Sequence, residues 1–432
     1  MVRRPREGQE GGSDPDVSLH PSRVLGGPEP EAGGSRTAPA GRDGPGLGHP
    51  AVSVKTAPEA PIPLLDLGAL HGPLAEELRA DFDRVLRSGQ FILGPEHDAF
   101  ERELAHACDV GHAIGVSSGT SALSIALLAL GVQPGDEVIV PAFTYFASAS
   151  AVTSIGARPV FVDVEPRRFG LDPQGLEAAI TPRTRAIMAV HLYGLACELG
   201  PLLSLAARRS IPLLEDAAQA VGASDEGRPV GTRSACATLS FFPTKNLGGL
   251  GDGGAILTED DAFAARARLL RVHGDAGNYR HVALGTNARL DALQAAFLRT
   301  KLRRLPGWTE ERRAIAARYH TALEEAPVVL PPDPEGARHT YHQYTIRAPE
   351  RDRLQAHLRD HGIASRIYYP DTVPAQPCFA HLGHRPGEFP VSERLAREVL
   401  SLPIYPGLHP GQVDRVAREI RAFYGAGERA SR

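Results

Sequence analysis

Between residues 137 and 257 the chain alternates short, largely apolar runs with longer stretches of mixed polarity. The runs at 137–140, 159–163, 186–190, 211–215, 237–241 and 254–257 are built mainly of Val, Ile, Leu, Phe and Ala. They lack the alternation of a strand wetted on one face, so each predicts a strand buried on both. The stretches at 120–130, 147–156, 173–180 and 199–209 are long enough for crossover helices. Strand and helix in alternation predict an α/β fold, a mostly parallel central sheet flanked by helices. Upstream, 74–88 and 95–108 read as amphipathic helices joined through 89–94. Downstream, 291–324 is a long helical tract broken near Pro306. Beyond residue 325, elements at 344–347, 350–361, 366–369 and 412–423 predict a smaller α+β domain. The domain expectation is therefore a large α/β domain over 61–310 and a small C-terminal one over 311–432.

Composition changes this picture at one end. Residues 1–60 hold 11 Gly and 9 Pro and no Phe, Tyr or Trp. Such a segment cannot bury enough apolar surface to offset its ordering entropy, which predicts a disordered tail. The rest of the 432 residues is of ordinary globular composition, 42% hydrophobic and 23% charged. A net charge of -4 excludes the basic field that grips nucleic acid. No apolar run reaches the roughly 18 residues of a spanning helix, so no membrane role is expected. The four cysteines, Cys108, Cys197, Cys236 and Cys378, are widely spaced without CxxC pairing. They predict reduced thiols in a cytoplasmic chain, with no disulfide frame and no metal site.

Of 47 basic residues only three are lysine: Lys55, Lys245 and Lys301. Arginine supplies charge but stays protonated, whereas lysine can become an amine nucleophile, so each lysine is a candidate for chemistry. Lys55 falls in the tail. Lys301 lies in 298–305, which reads as a basic helix face. Lys245 follows a strand that ends at Pro243 and precedes the glycine-rich 248–254, where backbone can approach a bound molecule. An exposed loop lysine is the plain reading; a Schiff-base lysine for pyridoxal phosphate is the functional one.

The functional reading demands partners. A pyridine nitrogen kept protonated needs a carboxylate, and Asp216 stands at the carboxyl end of the 211–215 strand. Strand alternation turns Glu215 to the other side, and Gln219 is near enough to reach the same ligand. A phosphate needs N–H groups, and Ser117-Ser118-Gly119-Thr120-Ser121 precedes a helix whose N-terminus presents them. The same run would serve as an ordinary N-cap. Tyr145 follows another strand, where its ring could stack on a flat heterocycle or simply join the core.

Taken together with the motifs at 135–141, 191–194, 215–219, 240–246 and 287–294, the order cradle, aromatic, carboxylate, serine, lysine resembles the DegT/DnrJ/EryC1/StrS family of PLP-dependent sugar aminotransferases. The likeness runs from about Leu64 to Tyr424. It implies the PLP-dependent transferase fold type I and an amino transfer, with glutamate as donor, to a keto group of a nucleotide-linked sugar. By the same resemblance Lys245 holds pyridoxal 5′-phosphate and moves the proton, Asp216 pairs with the pyridinium, Gln219 meets the ring, and Tyr145 stacks on it. Gly119, Thr120 and Ser240 bind the phosphate. Asn287 reaches the phosphate of a neighbouring subunit, which implies a homodimer with shared sites. Arg289, Tyr368 and Tyr369 match positions near the nucleotide-sugar site. Relatives that dehydrate carry histidine in place of the lysine, so Lys245 places the chain with the aminotransferases. The stretch after Tyr369 departs from the family pattern: Pro374 stands where histidine is usual, and Asp371 adds a charge. An aminotransferase for a cyclitol or another cyclic ketone, and a non-catalytic PLP-binding regulator, are the alternatives.

Overall fold

The computed structural model describes residues 60–430, with side chains up to Gly425. The expected tail over 1–60, with Lys55, lies outside the described residues apart from Ala60. Seven strands form the main sheet: β1 (His112–Val116), β2 (Glu137–Pro141), β3 (Arg158–Val162), β4 (Thr184–Val190), β5 (Leu213–Asp216), β6 (Cys236–Ser240) and β7 (Gly254–Thr258). Their order across the sheet is β1-β7-β6-β5-β4-β2-β3. The pairings β2–β3, β2–β4, β4–β5 and β5–β6 are parallel. Only β7 runs against its neighbours β1 and β6. Ile139, Ile187 and Leu213 pack into one apolar cluster while Val138, Met188 and Leu214 pack into another, as two-sided burial of consecutive strand residues requires. The result is the expected α/β architecture, a mostly parallel sheet flanked by helices.

Strand β1 is absent from the sequence reading. Its five residues, His-Ala-Ile-Gly-Val, begin polar and include a glycine, which weakens a strand signal; register with β7 from His112 opposite Thr258 to Val116 opposite Gly254 supplies what the local sequence lacks. Two helices adjoin the carboxyl edge of the sheet. The helix α1 (Gly119–Ala129) is capped by Ser118, whose side chain accepts from the Ser121 N–H. The helix α2 (Ala147–Ser154) follows β2. The tract expected over 291–324 is two helices, α3 (Ala292–Leu302) and α4 (Leu305–Leu323), with Pro306 in the first turn of the second.

The C-terminal region is a two-stranded antiparallel sheet of β8 (Tyr344–Arg347) and β9 (Val399–Leu402). With α4, α5 (Arg351–Asp360) and α6 (Pro410–Ala430) it encloses a separate apolar cluster that includes Tyr319, Tyr344, Leu354 and Val413. The sequence predicts an element over 366–369; only Arg366 pairs there, with Ser401. The partner that β8 needs is β9, hidden in the sequence because it directly continues the helix Pro390–Glu398. Lys301 corrects a second expectation. It is fully buried, with its Nζ 2.9 Å from His71 Nε2, so Lys301 is not part of the basic face, which Arg303 and Arg304 supply on the exposed side.

Candidate active site

The carboxyl ends of β2, β4, β5 and β6 point to one edge of the sheet. There the loops that follow them surround a cavity of about 450 Å³. Val190 ends β4, Asp216 ends β5 and Ser240 ends β6, and all three line it. Open α/β sheets bind their ligands at this edge because the strand ends leave a crevice between diverging loops.

Nine of the eleven expected site residues line the cavity: Gly119, Thr120, Tyr145, Asp216, Gln219, Ser240, Lys245, Tyr368 and Tyr369. Lys245 sits in a tight turn, its N–H donating to the Phe242 carbonyl at 2.8 Å. The next residue, Asn246, fastens that turn: its amide donates to the Thr340 carbonyl at 3.0 Å and its Oδ1 accepts from His342 Nδ1 at 3.2 Å. Burial lowers the Lys245 amine to about 8, and the Asp216 carboxylate pulls in the opposite direction. An amine so placed spends more time neutral, as a nucleophile or proton acceptor must.

Asp216 is buried, and burial raises its pKa. Two donors work against that. Ser148, on α2, donates its hydroxyl to Oδ2 at 2.8 Å, and the Ala218 N–H donates to Oδ1 at 3.2 Å. Ser148 in turn lies 3.0 Å from the hydroxyl of Thr144. Glu215 points the other way, as strand alternation requires. It accepts from the Gly231 N–H at 2.9 Å and lies 2.8 Å from His191 Nε2. His191 Nδ1 accepts from the Cys197 N–H, so the ring proton is on Nε2 and is given to Glu215.

The opposite wall is the N-terminus of α1. A Cβ on Gly119 would stand 2.8 Å from Ser240 Cβ, so only glycine lets helix and strand approach this closely. Among the described residues the N–H groups of Gly119 and Thr120 have no partner, which leaves a helix terminus able to take an anion. Tyr145, just over half exposed, faces Tyr369 with ring centroids 5.8 Å apart. Gln219 bridges two loops: Oε1 accepts from the Tyr193 N–H at 2.7 Å, and Nε2 donates to the Tyr369 hydroxyl at 3.1 Å.

Asn287 and Arg289 lie outside the cavity in this chain. Asn287 is exposed and bridges to Val272, while Arg289 bridges to Val116. Asp371 and Pro374, the two departures from the family pattern, line a different cavity of about 460 Å³. Sequence reasoning missed Ser148 and His342. Ser148 reads as helix filler in Ala147-Ser148-Ala149-Ser150, and nothing local marks it. His342 is buried on the cavity wall and burial holds its pKa well below the usual value, with Lys245 and Arg312 adding to this. With Nδ1 bound to Asn246, its neutral ring carries a bare Nε2.

Residues 73–421 match the DegT/DnrJ/EryC1/StrS aminotransferase family. The chain belongs to that family. It is 49% identical to the erythromycin biosynthesis sensory transduction protein EryC1 of Saccharopolyspora erythraea, over 84% of this chain and 99% of that one. It is 45% identical to the dTDP-3-amino-3,4,6-trideoxy-alpha-D-glucose transaminase of Streptomyces venezuelae, over 84% of this chain and 96% of that one. Among solved structures, S. venezuelae DesV in complex with a ketimine intermediate superposes with a TM-score of 0.83 at 45% identity, covering 84% of this chain and 98% of that one. As a member of the family, this chain is an aminotransferase. No described helix is long and apolar enough to cross a membrane.

Proposed function

We propose that the cavity moves an amino group from an amino-acid donor, glutamate, to the keto group of a nucleotide-linked sugar, with pyridoxal 5′-phosphate held by Lys245. The observation that carries this is the pairing of a depressed amine, Lys245 at about 8, with buried Asp216 in a cavity walled by free helix N–H groups. The names of relatives such as the dTDP-sugar transaminase support the substrate class.

The donor set suits a flat, phosphorylated pyridine aldehyde. The N–H groups of Gly119 and Thr120 and the Ser240 hydroxyl would hold the phosphate, where the helix dipole adds its field. The buried Asp216 would keep the ring nitrogen protonated, and Ser148 and Ala218 fix that carboxylate's direction. Tyr145 would cover one face of the ring, and Gln219 its edge. When bound, the cofactor supplies an electron sink for the carbon–hydrogen bond that breaks. Lys245, once its amine is free, would carry the proton between substrate and cofactor carbons, a task that its lowered pKa suits near neutral pH. Tyr368 and Tyr369 would border the sugar.

Asn287 and Arg289 complete the set only if a second copy supplies them. The stretch before them exposes Tyr279 at 91% and Leu284 at 96%, and Leu284 lines a groove together with α1 residues such as Ser124 and Leu128. A homodimer with shared sites accounts for these exposed side chains and for the position of both polar residues.

The test is a panel of nucleotide-linked keto-sugars, and cyclic ketones without a nucleotide, each incubated with glutamate and read by mass spectrometry. An aminated nucleotide sugar is expected. Amination only of a free cyclic ketone would transfer the same chemistry to a cyclitol, and no product from any pairing would favour a regulatory role.

A further inference from the structure

Remote from the catalytic cavity, α5 and α6 bring three metal-binding side chains together. His357 lies on α5 and His361 one turn later at its C-cap, so the two rings share a face with centroids 4.2 Å apart. Glu419 reaches them from α6. Its Oε2 is 3.7 Å from Nε2 of His357 and 3.7 Å from Nε2 of His361. The three donor atoms lie within 4.8 Å of one another.

Hydrogen bonding leaves this cluster unexplained. His357 Nε2 is buried and has no hydrogen-bond partner. A separation of 3.7 Å to the carboxylate is too long for a hydrogen bond. His361 Nδ1 is 2.8 Å from the His357 carbonyl oxygen, which can only accept, so Nδ1 carries a proton and Nε2 is the ring nitrogen turned to Glu419. Two ring nitrogens and a carboxylate oxygen thus stand together, with both contacts to Glu419 longer than a hydrogen bond.

A cation resolves the arrangement. Zinc bonds of about 2.0–2.2 Å in tetrahedral geometry put donor atoms roughly 3.3–3.6 Å apart, close to the 3.7 Å that separates each histidine from Glu419, while all three donors lie within 4.8 Å of one another. Outer partners are also in place: the carbonyl on His361 Nδ1, and Arg418 Nε at 3.3 Å from the other oxygen of Glu419. We propose that His357, His361 and Glu419 bind one divalent transition-metal ion of the zinc or nickel class, with water completing the shell, and that the ion clasps α6 to α5. Two imidazoles and one carboxylate suit these borderline ions better than calcium or magnesium, which prefer all-oxygen shells.

The test uses the untagged full-length holoenzyme. Calorimetric titration with Zn²⁺ should show one saturable site per chain, with a rise in Tm on adding the ion. His361→Asn and Glu419→Gln, near-isosteric changes at positions that keep some solvent contact, are expected to fold. Each should weaken binding by more than about ten-fold, the loss that removing even an outer partner brings. Both should also lose the Tm rise while keeping transaminase turnover. Absence of a saturable site in the wild type, or wild-type affinity in either variant, overturns the proposal.

Discussion

At the scale of single residues, the candidate site rests on how two buried charges are held. Lys245 and Lys301 both have amines lowered to about 8 by burial, yet only Lys245 opens on the cavity; Lys301 is closed in against His71. A depressed pKa alone therefore does not select the lysine. In the cofactor-free protein, Lys245 should become reactive toward an acylating reagent as pH rises through about 8, rather than near its ordinary 10.5. Asp216→Asn removes the charge that holds the amine up, so the midpoint should fall further, and a midpoint unchanged by that substitution would separate the two groups. Ser148 is the second test. Its hydroxyl holds Asp216 down against burial, and a hydrogen bond to a charged group contributes roughly 1.5–3 kcal/mol. Ser148→Ala should lower kcat by about ten-fold or more and move the acid limb of the pH profile upward, because a carboxylate that lost a donor protonates at higher pH. Ser148→Thr, which keeps the hydroxyl, should restore much of the loss.

At the scale of elements, the meeting of α1, β6 and β7 sets the shape of the anion cradle. Gly119 can approach Ser240 only without a side chain, and a Cβ on Gly254 would stand 2.4 Å from the Ser118 carbonyl oxygen. Gly119→Ala should cost about 1–3 kcal/mol in overpacking and weaken cofactor binding, as followed by thermal melts and spectroscopic titration. Adding Ser240→Gly removes the atom that clashes and should recover stability, though not the hydroxyl's share of affinity. Most elements were legible because buried parallel strands are runs of apolar residues and crossover helices have a minimum length. Strand β1 was not, since Gly115 and a polar start erase its signal, and β9 was masked by the helix it continues. Lys245 and Asp216, which line one cavity, stood out because lysine is rare here and because the carboxyl end of a strand is where open α/β sheets bind ligands. Ser148 and His342 were not: their roles come from partners 68 and 96 residues away, Asp216 and Asn246.

At the scale of the whole molecule, the proposed homodimer would bring a second copy's Asn287 and Arg289 to a cavity that this chain's own two residues do not line. Lys245→Ala and Asn287→Asp should complement each other. In a mixed dimer one site carries both lesions and the other neither, so about half the activity per mixed dimer returns. The aspartate sets a carboxylate against the phosphate, which makes the second lesion severe enough to read. A mixture no more active than the mean of its parents, after subunit exchange is shown, would refute shared sites.

The central claim is that Lys245 carries the cofactor, and with three lysines in the chain it can be tested without ambiguity. The holoenzyme would be reduced with borohydride, digested, and its peptides mapped by mass spectrometry. The account predicts the phosphopyridoxyl mass on the peptide containing Lys245, and none on those containing Lys55 or Lys301. An unmodified Lys245, or the adduct on either other lysine, would contradict it.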